Sequence, residues 1–275
     1  MGLQKIGLDE QYKIIDLYKN GISVSSIAKD YNVSPYTIYS VLNKHGIKTS
    51  RRKYKVNEHY FDLIDTANKA YILGFLYSDG TNSLKTHQVA ISLQEQDKHI
   101  LDDINKEIEN ELPLRFYDLK RKNKNNSNQF RLTINSKYMS DVLNSLGVIP
   151  NKSLHLTFPC WLDEKLYSHF IRGYMDGDGW ISKNPSAPRI ELVGTESFCQ
   201  SVANIMVNKF NINPAIRKRY KESDTTTRQL DFGGRKQVKT FLDWIYKDAD
   251  LYLERKYNIY KSIFLDNDIN NSLLN

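Results

Sequence analysis

The feature that most constrains the fold of this sequence is a repeat, in which two similar segments lie about 99 residues apart. The first is AYILGFLYSDG at 70–80, and the second is HFIRGYMDGDG at 169–179. Each is a short apolar stretch that ends in Asp-Gly. A second pair, 130–137 and 228–236, repeats more loosely, and each member precedes an apolar helical pattern. Two copies of one module are therefore predicted from residue 57 onward.

Each copy predicts the same order of elements, which is helix, two strands, helix, two strands, helix. In the first copy, Val89, Ile91 and Leu93 alternate as in a strand, and Asp97 begins a helix. Further strands are predicted at 114–119 and 130–134, and the matching elements of the second copy at 190–193, 198–210, 215–220 and 230–232. The predicted fold class is α+β, with pseudo-symmetric αββαββα modules at 57–150 and 151–275, the second carrying a C-terminal helix.

Residues 1–50 show a different pattern, that of three short helices. Asp9 is the expected N-cap of the first helix, and Ser23 or Ser25 that of the second. Ser34-Pro35 is typical of a helix start, and the third helix is expected to run to Lys44, just before Gly46. The stretch 25–42 resembles helix-turn-helix domains of the homeodomain-like and resolvase types, which bind DNA.

On this interpretation the third helix enters the major groove, with its polar side chains toward bases or phosphates. Those side chains are Tyr36, Thr37, Ser40, Asn43 and Lys44. The basic run Arg51-Arg52-Lys53, in a linker at 51–56, would follow phosphates or the minor groove. The alternatives are a helical protein-interaction module and an ordinary solvated linker.

Small residues four apart in the repeated segments predict that the two helices pack side by side. They are Gly74 and Ser78 in the first copy and Gly173 and Gly177 in the second. Such packing would bring Asp79 and Asp178 together at the negative ends of two helix dipoles, an arrangement that a divalent cation relieves. Oxygen ligands of this kind suit Mg²⁺, with Mn²⁺ as a possible substitute.

The Asp-Gly pairs also have a purely structural interpretation, as turns that end buried helices. Gly80 and Gly179 are expected in that case to be left-handed residues that close each helix. Asp176 is interpreted as structural, because Arg172, four residues earlier, can form an ion pair with it.

The paired segments resemble the two motifs of single-chain LAGLIDADG homing endonucleases, over about 57–265. The resemblance implies a saddle of two sheets over DNA and cleavage of both strands with short 3′ overhangs. It assigns the metal to the final acids, Asp79 and Asp178, with Gly80 and Gly179 in the same site. The first motif departs from the family pattern, with Tyr77 and Ser78 where the family name has Asp and Ala.

The resemblance further implies a catalytic basic residue after the last strand of each copy. Lys137 and Lys236 hold that place, and Arg235 competes with Lys236. Gln94 or Gln96 could position a water in the first half, whereas the second half has Gly194-Thr195 there.

Bulk properties agree with a nucleic-acid partner. The formal net charge is +7, which favours a polyanion, here double-stranded DNA. The two cysteines are far apart, the histidines show no metal spacing, and no apolar run approaches the ~20 residues of a membrane span. We expect a soluble, cytoplasmic monomer without membrane association.

These observations predict a metal-dependent, site-specific double-strand DNA endonuclease of a mobile genetic element. Two alternatives stay open. A helix-turn-helix LAGLIDADG transcription regulator would bind DNA without cutting it, and an RNA maturase would use the same fold to assist splicing.

Overall fold

The chain forms two compact units, Met1–Lys53 and Tyr54–Asn275. We describe them from a computed structural model, which defines residues 6–20, 22–47, 49, 54–121, 123–219 and 227–266. The predicted basic arm Arg51, Arg52 and Lys53 lies outside these described residues. The predicted modules 57–150 and 151–275 both lie within the second unit.

The N-terminal unit consists of helices α1 (Leu8–Lys19), α2 (Val24–Asp30) and α3 (Pro35–Lys44) around their own small core. Ser23 and Ser34 cap α2 and α3, each accepting a backbone hydrogen bond from the third residue along, as the sequence predicts. The expected cap at Asp9 is wrong. Helix α1 begins earlier, at Leu8, and its N-cap is Gly7, whose N–H donates to the Glu10 carboxylate at 2.9 Å.

The second unit contains the αββαββα order twice, as predicted. The first copy comprises α4 (Ala67–Ser78), β1 (Gly80–Ser83), β2 (Gln88–Gln94), α5 (Lys98–Glu107), β3 (Arg115–Tyr117), β4 (Gln129–Asn135) and α6 (Lys137–Ser145). The second comprises α7 (Tyr167–Asp178), β5 (Gly179–Ile181), β6 (Arg189–Thr195), α8 (Glu196–Phe210), β7 (Ala215–Lys218), β8 (Thr227–Gly233) and α9 (Arg235–Tyr246). Helix α10 (Glu254–Tyr260) follows and continues into a π-helical turn, Lys261–Leu265.

Each copy folds its strands into an antiparallel sheet with the same internal order. Among the described residues these are the four-stranded sheets β1-β2-β4-β3 and β5-β6-β8-β7. Alternate residues of β2, such as Val89 and Ile91, are buried, and their register partners on β4 are Ile134 and Leu132. One continuous apolar core extends through both copies.

Helices α4 and α7 lie in that core and touch backbone to backbone. A Cβ placed on Gly74 would lie 2.0 Å from the Phe170 carbonyl oxygen, and one on Gly173 would lie 2.0 Å from that of Tyr71. A Cβ on Gly177 would lie 2.0 Å from Ser78 Oγ. The predicted side-by-side packing at the small residues is therefore confirmed, and only glycine permits it.

Gly80 and Gly179 follow these helices, but the predicted left-handed conformation is wrong. Gly179 is extended, with φ −98° and ψ 159°, and Gly80 likewise lacks a positive φ. Each glycine begins a strand, and a Cβ would lie within 2.6 Å of the carbonyl oxygen of Leu76 or Met175. Close backbone approach, not handedness, is the reason for glycine at both positions.

No helix within the described ranges combines the length and apolar character that crossing a bilayer requires.

The helix contact leads to a prediction about stability. Replacing Gly74 or Gly173 by Ala should lower the free energy of unfolding by about 3 kcal/mol or more, because the methyl group has only backbone to displace. Chemical denaturation of the second unit measures this change. A variant as stable as the wild type would contradict the close packing.

Candidate active site at the paired helix ends

Asp79 and Asp178 lie at the ends of the two packed helices. Asp79 is the C-cap of α4, and Asp178 is the last residue of α7. Both are solvent-exposed. A Cβ on Gly177 would lie 3.1 Å from Asp79 Oδ2, so the carboxylate of one helix lies against the backbone of the other. The predicted proximity of the helix ends follows directly from the glycine contacts.

The electrostatics at these ends disfavour two negative charges. Partial desolvation by the surrounding protein, followed by repulsion from Asp178, raises the pKa of Asp79 to about 6. Desolvation also raises the pKa of Asp178. Lys152 and Lys256 act in the opposite direction on both carboxylates and favour their ionised form.

These two lysines are buried at the helix ends, and Lys256 binds carbonyls of α7 itself. Lys152 Nζ donates to the Gly80 carbonyl at 2.5 Å. Lys256 Nζ donates to the carbonyls of Met175, Asp176 and Gly179 at 2.5, 2.8 and 2.6 Å. An ammonium at a helix C-terminus is favoured by the helix dipole and pairs carbonyls that the helix leaves free.

Burial lowers the pKa of both lysines. For Lys256 the value falls to about 8, with Asp176 as the main opposing charge. For Lys152 the opposing charges are Asp178 and then Asp79. The aspartate pair is thus the opposing charge for Lys152, whereas for Lys256 it acts after Asp176.

The sequence-predicted lysines are not among the charges with the largest effect on the pKa of these carboxylates. Lys137, at the first position of α6, is exposed and forms an ion pair with Asp141 at 2.5 Å. Lys236, near the start of α9, is also exposed. Arg235, which the sequence offers as the alternative to Lys236, donates to the Ile263 carbonyl at 3.1 Å. The lysines that the structure places with the carboxylates are Lys152 and Lys256, which sequence reasoning missed.

No single-sequence signal distinguishes these two lysines. Lys152 begins a 3₁₀ turn after α6, and Lys256 lies in α10, so both lie outside the aligned segments of the repeat. Their spacings from Asp79 and Asp178 also differ. Lysine is almost always a surface residue, so burial of this type of residue is not expected from composition or periodicity.

Asp176 is fully buried beneath this site, as its structural interpretation requires, but its partners differ from those expected. Its carboxylate accepts from the Tyr71 hydroxyl and from the Leu253 N–H, both at 2.8 Å. Arg172 instead donates to the carbonyls of Ile245 and Leu251 at 2.7 and 2.9 Å. The predicted ion pair between Arg172 and Asp176 is therefore wrong, because neither side chain binds the other. Through its own hydrogen bonds, Asp176 joins α7 to α4 and to the start of α10.

The site offers carboxylates rather than backbone carbonyls to a cation. The exposed carboxylates of Asp79 and Asp178 are oxygen ligands that repel each other, which fits a divalent cation that keeps water ligands. The carbonyls of Gly80 and Gly179 already accept hydrogen bonds from ammonium groups. Across the described part of the chain, no group of three or more His, Cys, Asp or Glu side chains could hold a metal.

Each sheet carries a polar face opposite the core. In the first sheet it is formed by Thr81, Ser83, Gln88, Ser92, Gln94, Arg115, Tyr117, Gln129, Arg131, Thr133 and Asn135. In the second sheet Arg189 and Arg217 both pair with Asp231, at 2.6 and 2.8 Å, and Trp180 is half exposed. Gln96 donates to Gln94 at 3.2 Å on the first sheet. The sequence located the longer strands of these sheets but not their outward residues.

In the N-terminal unit, α3 has the two faces that a recognition helix needs. Ile38, Val41 and Leu42 are buried, whereas the opposite face is exposed. That exposed face comprises Tyr36, Ser40, Asn43 and Lys44. Thr37 is half-buried and hydrogen-bonds Ser34 through both its N–H and its hydroxyl, at 3.2 and 2.9 Å, so it serves the helix cap.

Family models match both units. Residues 165–246 match the model described as "LAGLIDADG-like domain", and residues 3–45 match "Helix-turn-helix domain of resolvase". Along the sequence, the chain carries a helix-turn-helix domain followed by a LAGLIDADG-like domain. The matched LAGLIDADG-like segment spans α7 to α9, and the first copy has the same element and strand order.

Solved structures similar to this chain share little sequence with it. Full-length DUF199/WhiA from Thermatoga maritima is 16% identical with a TM-score of 0.46, covering 78% of this chain and 69% of that one. Meganuclease I-SmaMI bound to uncleaveable DNA is 11% identical with a TM-score of 0.47, covering 74% and 92%. Meganuclease I-AabMI bound to uncleaved DNA is 12% identical with a TM-score of 0.45, covering 70% and 88%. A search of curated proteins found no match.

The repulsion between the carboxylates leads to a prediction about pH and metal. Because the folded-state pKa of Asp79 is raised from 3.8 to about 6, its ionisation destabilises the fold progressively across that range and fully above it. Asp79→Asn should therefore raise the melting temperature above pH 6 in EDTA and leave it unchanged below pH 3.8. Mg²⁺ should raise the melting temperature of the wild type at neutral pH but not that of Asp79→Asn/Asp178→Asn.

Asp141→Asn, which removes an exposed carboxylate from α6, is the matched control. Equal Mg²⁺ stabilisation of the wild type and the double variant would show that the cation binds elsewhere.

Proposed function

We propose that this protein is a metal-dependent, site-specific endonuclease of the homing type, which cuts both strands of double-stranded DNA. The observation that carries the proposal is the pair of exposed carboxylates, Asp79 and Asp178, held together at the ends of two glycine-packed helices with a buried lysine beside each end. A module present twice suits a substrate with two strands to cut.

Asp79 and Asp178 would hold Mg²⁺, or Mn²⁺ in its place, and the bound cation would polarise the scissile phosphodiesters. Lys152 and Lys256 would supply fixed positive charge to the phosphate oxygens as negative charge develops on them. The carbonyls of Gly80 and Gly179 position these lysines in this proposal, a different role from the metal contact that the sequence suggested. Water reaches the carboxylates because both remain exposed.

The remaining surfaces would supply DNA binding. The polar sheet faces carry arginine, glutamine and asparagine side chains, which pair with base edges and phosphates. The exposed face of α3 would add binding energy at a flanking site. We propose that the protein acts as a monomer, because one chain contains both copies of the module.

The proposal predicts cleavage of a randomised or host-genomic DNA library in Mg²⁺. The wild type should produce double-strand breaks with short 3′ overhangs at one defined sequence, read by sequencing the ends. Asp79→Asn and Asp178→Asn should bind that sequence but reduce cleavage by about 100-fold or more, because each removes a metal ligand. Tight sequence-specific binding with no cleavage by the wild type would favour the transcription regulator instead, and specific RNA binding would favour the maturase.

A second prediction compares the two candidate lysine pairs on the selected target. Lys152→Met and Lys256→Met should slow cleavage by about 100-fold, the usual cost of losing one preorganised stabilising group. Lys137→Met and Lys236→Met should cut at nearly the wild-type rate, since both side chains are exposed. Melting curves check that each variant is folded. If only Lys137→Met and Lys236→Met lost activity, the catalytic role would belong to Lys137 and Lys236 instead.

A further inference from the structure

The segment that carries Lys256 is anchored residue by residue. The Leu253 N–H donates to Asp176 Oδ2 at 2.8 Å, and the Glu254 N–H donates to His99 Nε2 at 3.3 Å. Arg255 Nε lies 3.1 Å from both carboxylate oxygens of Asp97. Lys256 itself contacts three carbonyls of the α7 end. Four consecutive residues are therefore fixed by side chains or backbone distant in sequence.

Two of these anchors come from the first module. Asp97 and His99 lie at the start of α5, whereas Lys256 lies in the helix that follows the second module. Asp97 is almost fully buried and occupies the N-cap position of α5, yet its side chain makes no cap hydrogen bond. Aspartate is among the preferred N-caps. Here its carboxylate is directed to Arg255 instead.

Helix α10 depends on such anchors. With the π-helical turn that continues it, the helical stretch is 12 residues long, and a helix of that length is only marginally stable on its own in water. Its first turn carries Arg255 and Lys256 side by side. The position of Lys256 Nζ beneath the aspartates is therefore set by the contacts that fix this turn.

Lys152 is held differently. It begins a short 3₁₀ turn after Asn151, which has φ 56°, and it donates to the carbonyl of Gly80, which follows α4 in the first module. Different contacts therefore hold the two lysines of the site, so a substitution of Asp97 should displace only Lys256.

We propose that Asp97 is a positioning residue for the second half of the active site: through Arg255 it fixes Lys256, so that the first module controls cleavage of the strand served by Lys256. This inference rests on the proposed endonuclease function. It adds to that function a directional coupling between the modules, through the Asp97–Arg255 ion pair, which does not itself include a carboxylate that would bind metal.

Strand-resolved cleavage tests the proposal. The selected target carries a different fluorophore on each strand, and the nicking rate of each strand is measured for wild type, Lys152→Met, Lys256→Met and Asp97→Asn. The strand slowed most by Lys256→Met defines the strand served by Lys256. Asp97→Asn should slow that strand by about 10-fold or more and leave the other within about 2-fold, because a misplaced group loses its effect on the rate.

Asp102→Asn is the matched control, because it removes an exposed carboxylate from the same helix and should leave both rates unchanged. Arg255→Gln tests the same contact from its half-exposed side and should reproduce the strand pattern of Asp97→Asn. Arg255→Lys, which keeps the charge near Asp79, should restore part of the rate. This last variant separates positioning from simple loss of charge.

Equal slowing of both strands by Asp97→Asn and Arg255→Gln, or no slowing by either, would overturn the positioning role while leaving the endonuclease intact. A wild type that cuts neither strand would overturn the endonuclease and this inference together. Should Asp97→Asn not fold, Arg255→Gln alone decides, since Arg255 lies at the surface.

Discussion

The contact between the backbones of α4 and α7 is the constraint on which the second unit depends. Gly74 faces the Phe170 carbonyl and Gly173 faces the Tyr71 carbonyl at distances that exclude any Cβ. The contact continues to the helix ends, where Gly177 lies against Ser78 and Asp79, and each helix ends in an aspartate. Packing therefore creates the electrostatic problem at the site, because two carboxylates meet at the negative ends of two helix dipoles.

Two lysines from outside α4 and α7 reduce the repulsion between the aspartates. Lys152 and Lys256 are buried at the helix ends, where Lys152 binds the Gly80 carbonyl and Lys256 binds those of Met175, Asp176 and Gly179. They reduce the repulsion without neutralising the pair, since desolvation still raises the pKa of both aspartates. A site with exposed acids and buried cations favours a hydrated divalent cation between protein and phosphate. The close packing of α4 and α7 thus accounts both for the arrangement of the site and for the chemistry that we propose for it.

Much of this arrangement was predictable from the sequence, because the determining residues recur in the repeat. The glycines at 74 and 173, the acids at 79 and 178 and the alternating apolar strands β2 and β6 act locally and carry readable patterns. The short strands β1 and β5 were not located, because four and three residues beginning with glycine show no alternation. Lys152, Lys256 and the partners of Asp176 depend on tertiary contacts across 72 to 105 residues, which no local pattern records.

The central claim is that Asp79 and Asp178 together hold the divalent cation of a nuclease. Mn²⁺ binding to the complex of the protein with its selected DNA, followed by electron paramagnetic resonance, tests it most directly. The account predicts bound Mn²⁺ in the wild type, weaker binding in Asp79→Asn and in Asp178→Asn, and none in the double variant. Undiminished Mn²⁺ binding by the double variant would contradict it.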